Sequence, residues 1–599
     1  MDWTTTSIEY RRNVMLGIFG AIMLVLLLGL IKLQVVDYAD FAKQSEANSY
    51  RVQPLLPRRG LILDREKRPI VENRPSFTVS IVPKEKKPQT IPNLAPVIGL
   101  DTAEIARRLR RNLVSIYQPV PIIRDTSFAM VAILEERAPY FPGVSVKIEE
   151  VRDYKDYLKP ECFTGHVGEI SEQELPQHPN NKEYHPGSII GKKGLEKEYD
   201  ARLRGREGTA YIEVTATGQE LGVYQGKGPT LPTAGEDLIL TIDNDVQAAA
   251  VQALDSFCCG ALVAIDPRSG DVLAMTSYPG FDANYFSSTM PESVWNAIAT
   301  NPYHPLLNRP VNGVYPPGST IKPVTIGAGL QEGVIDANTN LKPCYGGYQF
   351  GNRYWHCWQP RGHGYLTPTG AIEQSCDVYL YQVGQKLGVE RLSHYLDLCG
   401  FGRVSGIDLP DESPGLDPTP EELDRRHGTG KWSNGLVLNF SIGQGELLVT
   451  PLQLAQFYCG LANNGVVMRP HLVQEFISPF GRKMIVRPAE SFRLPFDATT
   501  IALLREGIRL VVEGAGGTAR SLRNRDYSVG GKTGTAENPH GDNHSWFVGV
   551  APMEAPEIVV AAIVENAGHG SAVAAPLVGK VIRAYMEKHG YVRRLAAVP

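Results

Sequence analysis

The 599-residue sequence predicts one membrane-spanning helix, then an extended α+β module, then a larger α/β domain in which strands and helices alternate almost to the end. Three observations predict it. An uncharged apolar run covers residues 14–31, the texture then turns charged with short strand-like and helical stretches, and a Gly/Pro-rich linker, "GKGPTLPTAGEDL", precedes the alternating part. The chain is too long for one ordinary hydrophobic core, and 43% hydrophobic with 21% charged residues is a globular composition. The formal net charge of −4 is small and spread along the chain. With no basic block interleaved with aromatics, nucleic acid is excluded as a partner class.

The first element is "VMLGIFGAIMLVLLLGLI". At about 1.5 Å rise per helical residue it crosses most of a hydrocarbon core of about 30 Å. Arg11 and Arg12 precede it and favour a cytoplasmic N-terminus, while Lys32 weakens the asymmetry. The alternative is a cleaved signal peptide, but the run continues into "KLQVVDYADF" with no small-residue cleavage pattern. The expectation is a cytoplasmic tail over 1–13 and an anchor over 14–36. Gly17, Gly20 and Gly29 would let another helix approach the anchor, or simply face lipid.

The second module, expected over 40–235, holds strand-like runs ("SFTVSIVP", "TAYIEVTA") and helical ones ("DTAEIARRLRRNL", "SFAMVAILEER"). The third, expected over 236–590, opens with "GALVAIDPRSGDVLAMTSYP", a strand, a turn and a second strand, hence a β-hairpin.

Within this last domain, "YPPGSTIKPVTIGAGLQEGVI" stops on two prolines and a glycine and then starts an apolar helix. Ser319 and Lys322 stand at i and i+3, on one helical face. A lysine in a dry site acts as base on a serine that is otherwise a poor nucleophile. The bland reading is a capping serine with a solvated lysine, and S-x-x-K arises by chance about once or twice in such a chain. Downstream, "SVGGKTGTAENP" places Lys532, Thr533, Gly534 and Thr535 on a strand whose glycines let another backbone come close, with side chains suited to an anionic terminus. Between the two lies "EQSCDVYLYQVGQKLG", where Ser375 and Asp377 precede an apolar helical pattern and read singly as an ordinary helix cap.

Together and in this order the three motifs resemble the penicillin-binding and serine β-lactamase superfamily. "PRRGLILDREKRPIVEN", "GKKGLEKEYDARLRGREGTAYIEV" and "FSIGQGELLVTPLQLAQFYCGLANNG" resemble class B penicillin-binding proteins, and "GHGYLTPTGAIEQSCDVYLYQVG" looks like their elongation-type members. The resemblance implies a transpeptidase domain with an antiparallel sheet flanked by helices, on a non-catalytic, dimerisation-type pedestal that is not a glycosyltransferase. The second motif departs from the superfamily pattern: Asp377 stands where Asn is usual, which speaks against a division-type enzyme.

The implied activity is a peptidoglycan D,D-transpeptidase for cell elongation and rod shape, inhibited by β-lactams, with carboxypeptidase activity as a side reaction. Ser319 is the implied nucleophile and Lys322 its base; Ser375 and Lys532 relay protons; Thr533, Gly534, Thr535 and Asp377 serve the substrate. The backbone N–H groups of Ser319 and Thr535 form the implied oxyanion hole. Acyl transfer needs no cofactor. Implied partners are peptidoglycan stem peptides, β-lactams and a polytopic elongation glycosyltransferase of the shape, elongation, division and sporulation family; the implied location is the inner membrane, with the catalytic domain periplasmic. The alternatives are a division-type transpeptidase, or a serine protein that hydrolyses or senses β-lactams.

Eight cysteines follow the anchor. Cys344, Cys357, His363 and Cys376 are three thiols and an imidazole, a set suited to structural zinc, at spacings looser than a zinc finger. In the elongation-type group zinc lies in this region, and the resemblance carries to Cys357, His363 and Cys376; His356 competes with Cys344 for the remaining place. The alternative is a Cys344 to Cys357 disulfide with Cys376 free. Cys399 and Cys459 sit in apolar helical contexts, as buried small hydrophobes do.

Overall fold

The computed structural model describes residues 3–39, 41, 49–171, 173–177, 184–215, 220–433, 435–539 and 541–591. The expected start of the second module, residue 40, and residues 1 and 2 of the expected tail lie outside the described residues. The chain forms two compact units, Met1–Pro57 with Gly205–Ala234, and Arg58–Arg204 with Gly235–Pro599.

The first unit holds the long helix Trp3–Ile31, continued by one π-helical turn over Lys32–Val36. It begins earlier than residue 14 because nothing in "TTTSIEYRR" breaks a helix. Every residue from 8 to 36 is exposed in the protein itself, so none of the described residues covers this apolar surface, as in a single-pass membrane anchor. The unit also carries a three-stranded antiparallel sheet of Tyr50–Leu55, Gly208–Val214 and Glu220–Val223, on which Tyr50 packs against Tyr211 and Tyr224.

The second unit contains two main sheets. The five-stranded one is wholly antiparallel, in the order Val272–Tyr278, Gly260–Ile265, Ile558–Val564, His544–Ala551, Gly530–Ala536. Gly260–Ile265 and Val272–Tyr278 form the expected hairpin. Its inner strands are buried on both faces, which is why "GALVAI" and "IVVAAIV" are continuous apolar runs. Helices Asn244–Leu254 and Ala574–Lys588 pack on one side and Pro451–Ala462 packs against the sheet as well. Gly530–Ala536 lies at the edge, its outer ladder unpaired by any named strand.

The seven-stranded sheet runs Lys483–Ile485, Val473–Ile477, Asp237–Leu240, Ile62–Leu63, Pro69–Ile81, Val120–Thr126, with Val144–Tyr154 also on Pro69–Ile81. It crosses the Gly/Pro linker: Asp237–Leu240 pairs in parallel with Ile62–Leu63 and antiparallel with Val473–Ile477. Helices Thr102–Arg111 and Phe128–Glu136 flank this region, each started by a side chain that accepts from the first turn, Asp101 from Ala103 N–H and Ser127 from Met130 N–H.

A buried charge network ties the stretch near residue 60 to the turn near residue 196. The Glu196 carboxylate, fully buried, accepts from Arg152 Nε at 2.8 Å and Arg59 Nε at 2.7 Å. Burial alone would raise the Glu196 carboxyl; Arg152 and Arg59 overcome it and hold it below the usual range. A depressed carboxyl gives stability that is present above its ordinary pKa and is lost as pH falls through the depressed value. Glu196→Ala leaves Arg152 buried with only neutral acceptors and Arg59 with Asp200 alone, and should cost about 3–5 kcal/mol, measured by denaturant unfolding.

Candidate active site

Ser319 lies in a tight 3-10 turn, Gly318–Ile321, that runs directly into helix Lys322–Gln331. Pro316 and Pro317 prevent any earlier helical start, and Gly318 takes a φ of +54° that lets the turn press against the backbone of Thr535. A Cβ on Gly318 would lie 2.7 Å from the Thr535 carbonyl oxygen. Two further contacts pin the turn: the Tyr458 hydroxyl donates to Thr320 O at 2.7 Å, and Trp546 Nε1 donates to Pro316 O at 3.0 Å.

Lys322 is fully buried, so the solvated-lysine reading fails. Its Nζ donates to Ser375 O at 2.7 Å, to Ser375 Oγ at 3.1 Å and to Asp377 Oδ1 at 2.7 Å. Lys532, also fully buried, donates to the same Ser375 Oγ at 2.9 Å. One hydroxyl therefore bridges two amines contributed by motifs more than 200 residues apart in sequence. Ser375 is no helix cap: helix Asp377–Leu398 has Cys376 at its cap position, and Ser375 takes a left-handed φ of +55°. Burial raises the Asp377 carboxyl above its usual range, and the Lys322 amine works against that rise. Burial, reinforced by the charge of Lys322, pushes the Lys532 amine well below the lysine range.

Thr533, Gly534 and Thr535 occupy the edge strand, in register with Phe547, Trp546 and Ser545. The Thr533 hydroxyl is 2.8 Å from that of Thr518, and Gln444 Nε2 donates to Thr535 O at 3.0 Å. No local sequence signal singles out Thr518 or Gln444. The quoted segment "FSIGQGE" contained Gln444, while Thr518 stands among glycines with no local signal.

Behind the second motif, the donor atoms of Cys344, Cys357, His363 and Cys376 all lie within 4.8 Å of one another. All eight cysteines are free thiols, so the Cys344 to Cys357 disulfide is absent. His356 lies outside the cluster, its ring against Tyr354. Hydrogen bonds from Cys376 hold the Cys357 thiol well below the thiol range and bring Cys344 down to about 6. His363 Nε2 is buried without a hydrogen-bond partner, Nδ1 being 3.6 Å from Cys357 Sγ. Two thiols held below the usual range, with a third thiol and the His363 imidazole within 4.8 Å, are a donor set that suits a thiophilic cation.

Against known families, residues 260–583 match the penicillin binding protein transpeptidase domain and residues 54–240 the penicillin-binding protein dimerisation domain. The peptidoglycan D,D-transpeptidase MrdA of Acinetobacter baumannii is 34% identical over 95% of this chain and 87% of its own. Among solved structures, the Helicobacter pylori complex between penicillin-binding protein 2 and MreC contains a chain that is 27% identical, with a TM-score of 0.77, over 91% of this chain and all of its own. A peptidoglycan synthase complex that coordinates polymerization and crosslinking contains one at 31% identity and a TM-score of 0.70, over 98% of this chain and all of its own.

The displaced Lys532 amine has a measurable consequence. Between its depressed value and the ordinary 10.5, the unfolded chain holds a proton that the folded chain does not, so stability rises with pH across that window. Lys532→Met keeps the length of the side chain and removes the proton site. Its Tm should rise less steeply with pH than that of the native protein over the same window.

Proposed function

This chain belongs to the penicillin-binding protein transpeptidase family, and we propose that it works as an elongation-type peptidoglycan D,D-transpeptidase through a serine acyl-enzyme on Ser319. The observation that carries the chemistry is the row Lys322 Nζ, Ser375 Oγ, Lys532 Nζ, closed at 3.1 and 2.9 Å beside the turn that presents Ser319. Lys322 passes its proton through the Ser375 hydroxyl to the neutral Lys532 amine and takes the Ser319 proton as Oγ adds to the carbonyl carbon of the penultimate D-alanine of a stem peptide. The site holds the proton along the Ser375 hydroxyl, with Lys532 as the neutral amine able to share it. Collapse breaks the C–N bond, the proton returns to the leaving nitrogen, and the terminal D-alanine departs. The amine of a second stem peptide then attacks the ester and restores Ser319.

The edge strand Gly530–Ala536 supports the substrate's place: an extended peptide can add to its free ladder, with the Thr533 and Thr535 hydroxyls for the terminal carboxylate. The N–H groups of Ser319 and Thr535 belong to segments in backbone contact and would serve the developing oxyanion. In a β-lactamase the same ester would go to water; the membrane anchor and the long second module favour a wall synthase over a hydrolase or a sensor. The free β-lactam ring would be opened by the same serine and leave a lasting acyl-enzyme.

The apolar helix supports a single-pass anchor in the inner membrane, with the N-terminus cytoplasmic and a pedestal over 40–235 and transpeptidase domain over 236–590 in the periplasm. The synthase-complex relative supports a polytopic elongation glycosyltransferase as partner, and the Helicobacter pylori complex supports an MreC-type protein as another. Cys344, Cys357, His363 and Cys376 would hold a structural zinc, which would crosslink the loop to the second motif as a Lewis acid shared by thiolates.

Full-length protein in detergent, treated with benzylpenicillin and mapped by mass spectrometry, should carry the acyl group on Ser319, and purified stem-peptide donor and acceptor should be crosslinked. Ser319→Ala should fold and take no label; label persisting on that variant overturns the assignment. Lys322→Ala should acylate at least about a hundredfold more slowly, the loss expected of a missing general base. The purified chain should contain about one equivalent of zinc. Stripping it should lower both Tm and the acylation rate, and zinc-free protein acylating at the full rate would refute the site.

A further inference from the structure

Trp358 combines two features that rarely meet. Its side chain is 54% exposed, so burial does little to hold it in place. Yet both of its N–H groups are spent on the second motif: the backbone N–H donates to Asp377 Oδ2 at 2.9 Å, and the indole Nε1–H donates to Ser375 O at 3.0 Å and Gln374 O at 3.2 Å. These are the acceptors that Lys322 also uses, since its Nζ takes the same Ser375 carbonyl and the other oxygen of the same Asp377 carboxylate. Ser375 needs such a clamp, because a serine holds a φ of +55° only where its surroundings fix it. The carbonyl contacts from Lys322 and Trp358 fix the C-terminal side of that residue, and Cys376 N–H, donating to Ala371 O at 3.0 Å, fixes the next peptide.

We infer that Trp358 is a positioning residue for acylation: it holds the Ser375 carbonyl and the Asp377 carboxylate so that the Ser375 hydroxyl stays between the two lysine amines. The inference rests on the reading of Ser375 as part of the transpeptidase machinery. The loop that carries Trp358 is fixed independently of the indole. Its hairpin, Gly347–Phe350 with Arg353–His356, is tied to helix Asp377–Leu398 by the Tyr381 hydroxyl donating to His356 O at 3.1 Å, and Cys357 N–H donates to Gly346 O at 2.9 Å. Removing the indole N–H therefore leaves the loop in place. Ser375 then relaxes away from its left-handed conformation, and the hydroxyl leaves the line between Lys322 and Lys532.

The test compares full-length wild type, Trp358→Phe and Trp358→Leu in detergent, with benzylpenicillin acylation rates resolved into a pre-acylation Kd and a first-order step. Both variants lack the indole N–H, and both should lose about tenfold in the first-order step, the upper end of what one hydrogen bond contributes. Kd should stay within about twofold, because the lost interaction acts on the reacting groups and not on ground-state binding. Trp358→Phe acylating at the wild-type rate overturns the inference, since then the ring and not the N–H matters. A second measurement needs no variant to be active. With the tryptophans labelled at the indole nitrogen, the Trp358 N–H, assigned by its loss in Trp358→Phe, should exchange slowly with solvent despite its half-exposed ring, and fast exchange overturns the inference. Wild type that takes no label on Ser319 sinks the transpeptidase reading instead, while the exchange rate still decides whether the clamp on Ser375 exists.

Discussion

Two amines share one hydroxyl in a volume withdrawn from water, and the rest of the active site is arranged around that constraint. Lys322 and Lys532 both reach Ser375 Oγ, and neither side chain has any exposed surface. Two ammonium groups this close, at an effective dielectric of about 20, would repel by several kcal/mol on top of the desolvation of each. Among the described residues one carboxylate, Asp377, pairs with one of the amines, Lys322, at 2.7 Å. The other amine has no carboxylate in contact, and burial keeps it from binding a proton in the ordinary lysine range. A site with one ion pair and one neutral amine joined through a hydroxyl keeps that amine free to take the serine's proton, and the ammonium so formed is balanced by the oxyanion that develops on the substrate. That is the property an acyl transfer with two proton movements requires.

Backbone contact, more than side-chain bulk, holds the first and third motifs at this spacing. Gly534 faces Thr320 Cγ2 and Trp546 Cβ, each 2.9 Å from where its Cβ would be, so the strand of the third motif lies directly on the serine turn. Gly443 does the same from the "SIGQGE" segment, where a Cβ would sit 2.2 Å from Gly318 O, and the Gly318 N–H donates to Gly443 O at 2.8 Å. These glycines are absences of side chain placed where strands and turns must touch. The Tyr458 and Trp546 donors then fix the register of the turn along that contact.

The parts legible in the sequence are those whose physics is local. Two prolines and a glycine before an apolar helix spell the serine turn, and the alternation around "PRSG" spells the hairpin. What was not legible depends on pairing between distant segments. The Gly/Pro linker reads as a boundary, yet the strand immediately after it, Asp237–Leu240, is a sheet neighbour of Ile62–Leu63. Composition reports a turn; it carries no information on which strand the chain meets next. Ser375 read as a helix cap because Ser before an apolar helix usually is one, and a left-handed serine has no sequence signature. Thr518 and Gln444 were missed for the same reason, since what distinguishes them is a partner on the third motif.

Trp358 and the thiol cluster show why the second motif needs support from outside its own helix. Helix Asp377–Leu398 begins only after Ser375, so its own hydrogen bonding does nothing to fix the serine's backbone; the close of the preceding helix does, with Ser375 N–H donating to Ile372 O at 3.2 Å and Cys376 N–H to Ala371 O at 3.0 Å. On the preceding side, helix Pro368–Glu373 ends two residues short of it. Ser375 therefore sits in a junction between helices, where the closing bonds of the first helix hold its N–H side and its carbonyl is left to donors from outside. The loop over residues 344–366 lies over that junction, but it is rich in glycine and leaves Tyr345, Trp358 and Tyr365 more than half exposed, so packing gives it little rigidity of its own. Its fixed points are Cys344, Cys357 and His363, drawn onto Cys376, the residue after the serine. The loop is thus anchored to the very segment it constrains, and the indole N–H of Trp358 carries that constraint the last 3.0 Å to the carbonyl of Ser375.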